Sequence, residues 1–119
     1  MKFKSRLESQ FYDTYGLSYE PKSFLYTVVH SYTPDFQVSP TAYVETKGLF
    51  TGTDRNKHLY IKKQHPELSI LLVFQEPSRK LNKNSKTTYA MWCQKNDLPW
   101  CGVRDTKKIE EFIRTHTYS

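Results

Sequence analysis

The sequence predicts an α/β fold, a mixed β-sheet core flanked by helices. Three observations predict it. Ile70-Leu71-Leu72-Val73-Phe74, opened by Ser69, is an unbroken apolar run of strand length. Such a run suits a strand buried on both faces in the middle of a mixed sheet. It follows a helix pattern over residues 55–65, the crossover order of an α/β unit. Ahead of that helix, strand patterns at Tyr32 to Val38 and Ala42 to Lys47 flank the turn Ser39-Pro40-Thr41, which reads as an antiparallel hairpin.

The 119 residues suffice for a single domain, 1–119, with one modest core. A net charge of +6 points to a polyanionic partner, and nucleic acid is the commonest. Cys93 and Cys101 fit no zinc-ligand spacing and read as free thiols in a reducing compartment. No apolar run approaches the ~20 residues of a membrane span, so no membrane association is expected. The opening Met-Lys-Phe-Lys-Ser-Arg lacks the apolar stretch of a secretion signal.

Taken in order, Ser5 to Tyr15 reads as a helix. Leu7, Phe11 and Tyr15 recur every four residues, Ser5 and Glu8 fit a capping box, and Gly16 is a C-terminal stop. Leu17 to Tyr19 and Phe24 to Val29 are β-rich, with Pro21 marking a break between them. After the hairpin, Thr51 to Asp54 reads as a loop, with Thr53 or Asp54 as N-cap of the helix from Arg55 to His65. That helix carries Arg55, Lys57, His58, Lys62 and Lys63, a basic face suited to phosphate contact. Gln75 to Thr87 is a polar loop with Arg79, Lys80, Lys83 and Lys86, read as gripping backbone phosphates. Thr88 to Asn96 is a short helix with Tyr89, Trp92 and Cys93 inward, and Pro99-Trp100 is a turn. Asp105 or Thr106 caps a last helix to about His116, with Ile109, Phe112 and Ile113 inward.

The chemistry gathers at the hairpin. Asp35 follows a proline, and Glu45 and Lys47 lie two apart on the next strand, so their side chains share a face. If the neighbouring strand brings Asp35 alongside, two carboxylates and an ammonium meet on one wall. Carboxylates are the hard oxygen ligands Mg²⁺ favours. A lysine beside them can orient an attacking water or stabilise charge on a phosphate. The plainer alternative makes Asp35 a turn residue and Glu45 and Lys47 a solvated face. Glu8 is either a capping residue or a third acid carried by its helix, and Glu20 is either a turn residue or an outer acid.

Five runs occur in order: Tyr32-Thr33-Pro34-Asp35-Phe36, Val44-Glu45-Thr46-Lys47-Gly48-Leu49, Asp54-Arg55-Asn56-Lys57-His58-Leu59, Gln64-His65-Pro66-Glu67-Leu68 and Ser78-Arg79-Lys80-Leu81. With the start at Ser5 to Glu8, they resemble the bacteriophage T7 endonuclease I family over about residues 5–100. These are phage Holliday-junction resolvases of the restriction-endonuclease-like superfamily. The resemblance implies a restriction-endonuclease-like sheet and a homodimer that cleaves branched DNA with Mg²⁺, with Mn²⁺ as a substitute. It implies that Asp35, Glu45 and the main-chain carbonyl of Thr46 bind the metal. Lys47 would assist the attacking water or the transition state, and Glu8 would be the helix-borne acid. In the family, protomers exchange strands, so that a site takes its helix acid from the partner chain. The connection from Glu20 to Asp35 is shorter here than in the family, and the segment from Val103 onward matches poorly. The basic arm before the first helix is reduced to Lys2, Lys4 and Arg6.

The expected function is therefore cleavage of branched DNA such as Holliday junctions, in the cytoplasm of an infected host cell. The DNA contacts would be Arg6, Arg55, Lys57, His58, Lys62, Arg79, Lys80 and Lys83. Two rivals stand beside it: a nicking or homing-type endonuclease acting on duplex DNA, and a non-catalytic DNA-binding module whose acids are structural.

Overall fold

The computed structural model of the chain describes residues 2–20 and 22–117. The chain divides after Ser31 into two compact units.

The first unit is built on α1 (Arg6–Tyr15). Ser5 caps it in an extended conformation, its hydroxyl accepting from the Glu8 amide at 3.2 Å. Gly16 ends it at φ 64°, a left-handed conformation that glycine adopts without a Cβ clash. Leu7, Phe11 and Tyr15 form the expected stripe, yet all three are exposed. Phe3 stacks on Tyr19 at 4.6 Å and tilts against Tyr12 at 5.3 Å, folding the N-terminal arm back. The strands expected at Leu17 to Tyr19 and Phe24 to Val29 are not formed. Phe24, Leu25, Tyr26, Val28 and Val29 are β-rich but exposed. A strand needs a neighbour to complete its ladder of backbone hydrogen bonds, and the described residues of this unit supply none.

The second unit contains β1 (Phe36–Ser39), β2 (Ala42–Lys47), α2 (Gly52–Gln64), β3 (Ser69–Phe74), α3 (Tyr89–Lys95), β4 (Trp100–Gly102) and α4 (Thr106–His116). The sheet order is β1-β2-β3-β4. β1 and β2 are the expected antiparallel hairpin, with Phe36 opposite Val44. β2 and β3 run parallel from Ala42 opposite Ser69 to Lys47 opposite Phe74, and β4 adds in parallel. The sheet is thus mixed, with β3 in its interior. Alternate side chains of β3 feed two cores. Leu72 and Phe74 pack with Phe50, Tyr89 and Cys93 on one face, while Leu71 and Val73 pack with Val44 and Cys101 on the other. Each of these burials contributes about 1.5–3 kcal/mol, which makes this strand the keel of the unit.

Three points differ from the sequence reading. β1 begins only at Phe36, leaving Tyr32 to Asp35 as an irregular lead-in. α2 begins at Gly52 because Thr51 is the N-cap: its hydroxyl accepts from the Asp54 amide at 3.2 Å, and the Asp54 carboxylate accepts from the Thr51 amide at 3.4 Å. Trp100 to Gly102 is a strand where a turn was expected, and three residues are too few to show a periodicity. Asp105 is the N-cap residue of α4 as expected, but its carboxylate accepts from the Gly102 amide at 2.8 Å rather than from the first turn of the helix. On α4, Ile109 and Phe112 pack inward as expected, but Ile113 is exposed.

Candidate active site

The site forms where β1 gives out. Beyond the Phe36–Val44 pair, the outer edge of β2 has no strand beside it, so the Thr46 amide would lack an acceptor. Asp35 takes the place of the missing strand. Its Oδ2 accepts from the Thr46 amide and from the Thr46 hydroxyl, each at 2.9 Å. The Asp35 amide in turn donates to Glu45 Oε1 at 3.2 Å, and the Tyr32 hydroxyl donates to the same oxygen at 3.1 Å. The other Glu45 oxygen, Oε2, pairs with Lys47 Nζ at 3.3 Å. Asp35, Glu45 and Lys47 therefore meet at one place, with Glu45 and Lys47 on the face their spacing predicts.

α2 adds a residue that sequence reasoning missed. Asp54 Oδ1 lies 3.6 Å from Lys47 Nζ and 3.8 Å from Lys57 Nζ. Lys57 also sits over the Tyr32 ring, 5.4 Å from its centroid. Only 8 % of the Glu45 side chain, 12 % of Lys47 and 24 % of Asp54 is exposed. Charges this sheltered persist when paired and hydrogen-bonded. The Thr46 amide and hydroxyl hold the Asp35 carboxyl below the ordinary range. Burial alone would raise Asp54, but Lys47, the Thr51 amide and Lys57 together bring it below its ordinary value. Burial drives the Tyr32 hydroxyl strongly upward, with Glu45 adding to the effect, so Tyr32 stays a protonated donor.

Three carboxylates (Asp35, Glu45, Asp54) face two ammonium groups (Lys47, Lys57), which leaves one negative charge to attract a cation. Asp35 is exposed and can reach a ligand. Thr46 offers a further oxygen. The Thr41 carbonyl accepts from Ser69 at the start of β3 and the Lys47 carbonyl from Gln75 just beyond its end, so the period of two turns the backbone groups of Thr46 to the opposite edge, where its amide meets Asp35. Its carbonyl opens on that same edge. Two carboxylates and a carbonyl are hard oxygen donors of the kind Mg²⁺ takes, with waters and phosphate oxygens filling the remaining positions. Among the described residues no group of three or more His, Cys, Asp or Glu side chains could hold a metal by itself.

The remaining candidates fall into separate places. Glu8 stands on α1 in the first unit, half-buried and interacting with the Tyr19 hydroxyl. Glu20, in the same unit, pairs with Lys4 at 2.7 Å. Arg6 opens α1 and is exposed. Arg79, Lys80 and Lys83 are exposed and, with Leu49 and Phe50, line an open hollow of about 510 Å³ in the second unit.

Three residues of the basic helix have other employment. His58 is only 3 % exposed, its ring edge-on to Tyr32 at 5.5 Å and tilted against Phe50 at 6.1 Å. As placed, it is a core residue and not a phosphate contact. Burial first, then Lys47 and Lys57, lower its pKa to about 4, so it is neutral at physiological pH. Lys62 Nζ donates to the Asn96 and Asp97 carbonyls at 2.9 and 2.7 Å, closing the C-terminal end of α3. Arg55 Nη1 donates to the Phe50 carbonyl at 2.7 Å, tying α2 to the loop before it. Of the basic residues expected on this helix face, Lys57 is the one bound into the carboxylate cluster. Tyr32 and Asp54 could be found only in part from sequence. Thr51-Gly52-Thr53-Asp54 carries a capping signal, whereas nothing in the spacing of Tyr32 marks it as a partner of Glu45.

Comparison with known proteins points to one family. A sequence profile of the phage endonuclease I family matches residues 2–109, further toward both ends than the motif runs reach. The protein named endodeoxyribonuclease 1 of Enterobacteria phage T3 is 44 % identical over 95 residues, which cover 74 % of this chain and 62 % of the relative. The alignment thus spans less than two thirds of that relative's length. Endonuclease I of Escherichia phage T7 is 40 % identical over 127 residues, covering 94 % of this chain and 85 % of the relative.

Proposed function

Because this chain belongs to the phage endonuclease I family, we propose that it is a Mg²⁺-dependent endodeoxyribonuclease that hydrolyses phosphodiester bonds in branched DNA such as Holliday junctions. The observation that carries the reading is the joined set Asp35–Glu45–Lys47, with the Asp35 amide 3.2 Å from Glu45 Oε1 and Lys47 Nζ 3.3 Å from Glu45 Oε2.

Asp35, Glu45 and the Thr46 carbonyl would hold the ion. A divalent metal there supplies Lewis-acid polarisation of a phosphate oxygen. The protein's own part is positional and electrostatic. The Thr46 amide and hydroxyl keep Asp35 ionised and aimed. Tyr32 holds one Glu45 oxygen and leaves the other to Lys47. Lys47 places a positive charge where the phosphate gathers negative charge in the transition state. Arg79, Lys80 and Lys83 contact backbone phosphates, so that recognition follows DNA shape and phosphate placement rather than base edges. The exposed β-rich stretch at Phe24 to Val29 supports a homodimer, because an unpaired apolar strand sequence is completed by a second copy. In a dimer that exchanges strands between protomers, each site would take its helix acid, Glu8, from the other chain. The place of action would be the cytoplasm of the infected host, and no described helix is long and apolar enough to cross a membrane.

The test is a gel with a labelled four-way junction, the matching duplex and Mg²⁺. The chain should cut the junction in preference to the duplex, and Asp35→Ala, Glu45→Ala and Lys47→Ala should each abolish cutting while remaining folded. Equal cutting of the duplex would favour a nicking enzyme, and binding without any cutting a non-catalytic module.

A further inference from the structure

We propose that Asp54 is a positioning residue for the active-site lysine, holding the Lys47 ammonium in place when a cation occupies the carboxylates. The inference rests on the nuclease reading above and adds a residue to it. Lys47 Nζ lies between two carboxylates, Glu45 Oε2 at 3.3 Å and Asp54 Oδ1 at 3.6 Å. The two are not equivalent. Glu45 is the one a divalent ion would claim, and an ion there repels the ammonium that Glu45 otherwise attracts. Of the two, only Asp54 remains to hold it.

The fold gives Asp54 the means to do so. Its backbone is held by the first turn of α2 itself, and the bond from its amide to the Thr51 hydroxyl at 3.2 Å adds to the stability of that turn without orienting the carboxylate. Its two carboxylate oxygens divide the work. Oδ2 accepts from the Thr51 amide at 3.4 Å, while Oδ1 faces Lys47 and Lys57. A side chain oriented at one oxygen presents the other in a fixed direction, which is the condition for positioning a charge. Lys57 shares Oδ1 from 3.8 Å but is more exposed than Lys47, so it can turn to a phosphate without releasing the pair beneath it. An asparagine has a single acceptor oxygen for the two demands. A glutamate keeps both oxygens and is a favoured residue at this position of a capping box.

The experiment measures single-turnover cleavage rate and affinity on a labelled four-way junction with Mg²⁺, together with Tm, for the wild type and four variants. Asp54→Asn should slow cleavage by about tenfold or more with DNA affinity within about threefold. Asp54→Glu should restore the rate to within about threefold of wild type. Thr51→Ala removes the other half of the capping box without touching Lys47. It should lower Tm by about 5 °C and leave the rate within about twofold. Equal slowing in Thr51→Ala and Asp54→Asn would reduce Asp54 to a helix cap and overturn the proposal, as would full activity in Asp54→Asn. If Asp54→Asn does not fold, Asp54→Glu decides: a rate as low as that of Lys47→Ala overturns the proposal, and a near-normal rate supports it. A wild type that cuts no DNA, or a fully active Lys47→Ala, would instead refute the nuclease reading itself.

Discussion

Asp35 and Thr46 are bonded twice, one carboxylate oxygen accepting from both the amide and the hydroxyl at 2.9 Å. The pair closes an edge that β1 leaves open and fixes an exposed carboxylate on Thr46, while the Asp35 amide holds Glu45. Thr46→Val keeps the shape and the amide but deletes the hydroxyl. The Asp35 pKa should then move up toward its ordinary value, read by NMR titration of the carboxyl. Cleavage should fall by roughly threefold to tenfold as one charge-assisted hydrogen bond is lost.

Tyr32→Phe deletes the donor to Glu45 Oε1 and leaves the ring under Lys57. A hydrogen bond to a charged group contributes about 1.5–3 kcal/mol when sheltered, so urea unfolding should show a loss of that order. Cleavage should slow by about tenfold if Glu45 loses its orientation.

Lys47→Met leaves Glu45 sheltered without its partner, which costs about 3–5 kcal/mol in comparable buried pairs. A divalent ion on Glu45 would offset part of that cost. Thermal unfolding should therefore show a larger Mg²⁺-induced rise in Tm for Lys47→Met than for the wild type, although the variant cuts nothing.

His58 gives the stability a pH dependence of defined sign. Its folded pKa of about 4 lies below the ordinary 6.5, so the unfolded chain binds the extra proton between those values. Stability is unaffected by this group above about pH 7 and is lost as pH falls from about 6.5 toward 4, by about 3 kcal/mol in total. His58→Phe keeps a ring against Tyr32 and Phe50, and its urea midpoint should be flatter across that window.

The basic residues should separate into two kinds. Lys62→Met removes the bonds to the Asn96 and Asp97 carbonyls and should cost about 1 kcal/mol of stability while leaving DNA affinity and its salt dependence unchanged. Lys80→Met and Lys83→Met should do the reverse. Each should weaken binding and reduce the slope of log affinity against log salt by about 1.

Much of the fold was legible because its signals are local or strongly periodic. The apolar run through Phe74 suits a strand buried on both faces, and Ser39-Pro40-Thr41 between two strand patterns reads as a turn. The pairing of Glu45 with Lys47 follows from the period of two. What escaped depends on neighbours that the sequence does not order. Phe24 to Val29 has strand composition, but composition supplies no partner for its backbone. Trp100 to Gly102 becomes a strand only because the edge of β3 lies beside it. His58 and Lys62 look like their basic neighbours on a helical wheel, yet packing against Phe50 and the end of α3 takes them out of the phosphate-facing set. Asp54 escaped because a capping residue and a partner of Lys47 are the same carboxylate, and only the turn from β2 into α2 brings the second role about.

The most direct measurement is anomalous diffraction from crystals soaked in Mn²⁺. The account predicts an anomalous peak within coordination distance, about 2.0–2.4 Å, of Asp35, Glu45 and the Thr46 carbonyl. A soaked crystal whose only manganese peaks lie elsewhere, with Asp35 still on Thr46 and Lys47 still on Glu45, would contradict it.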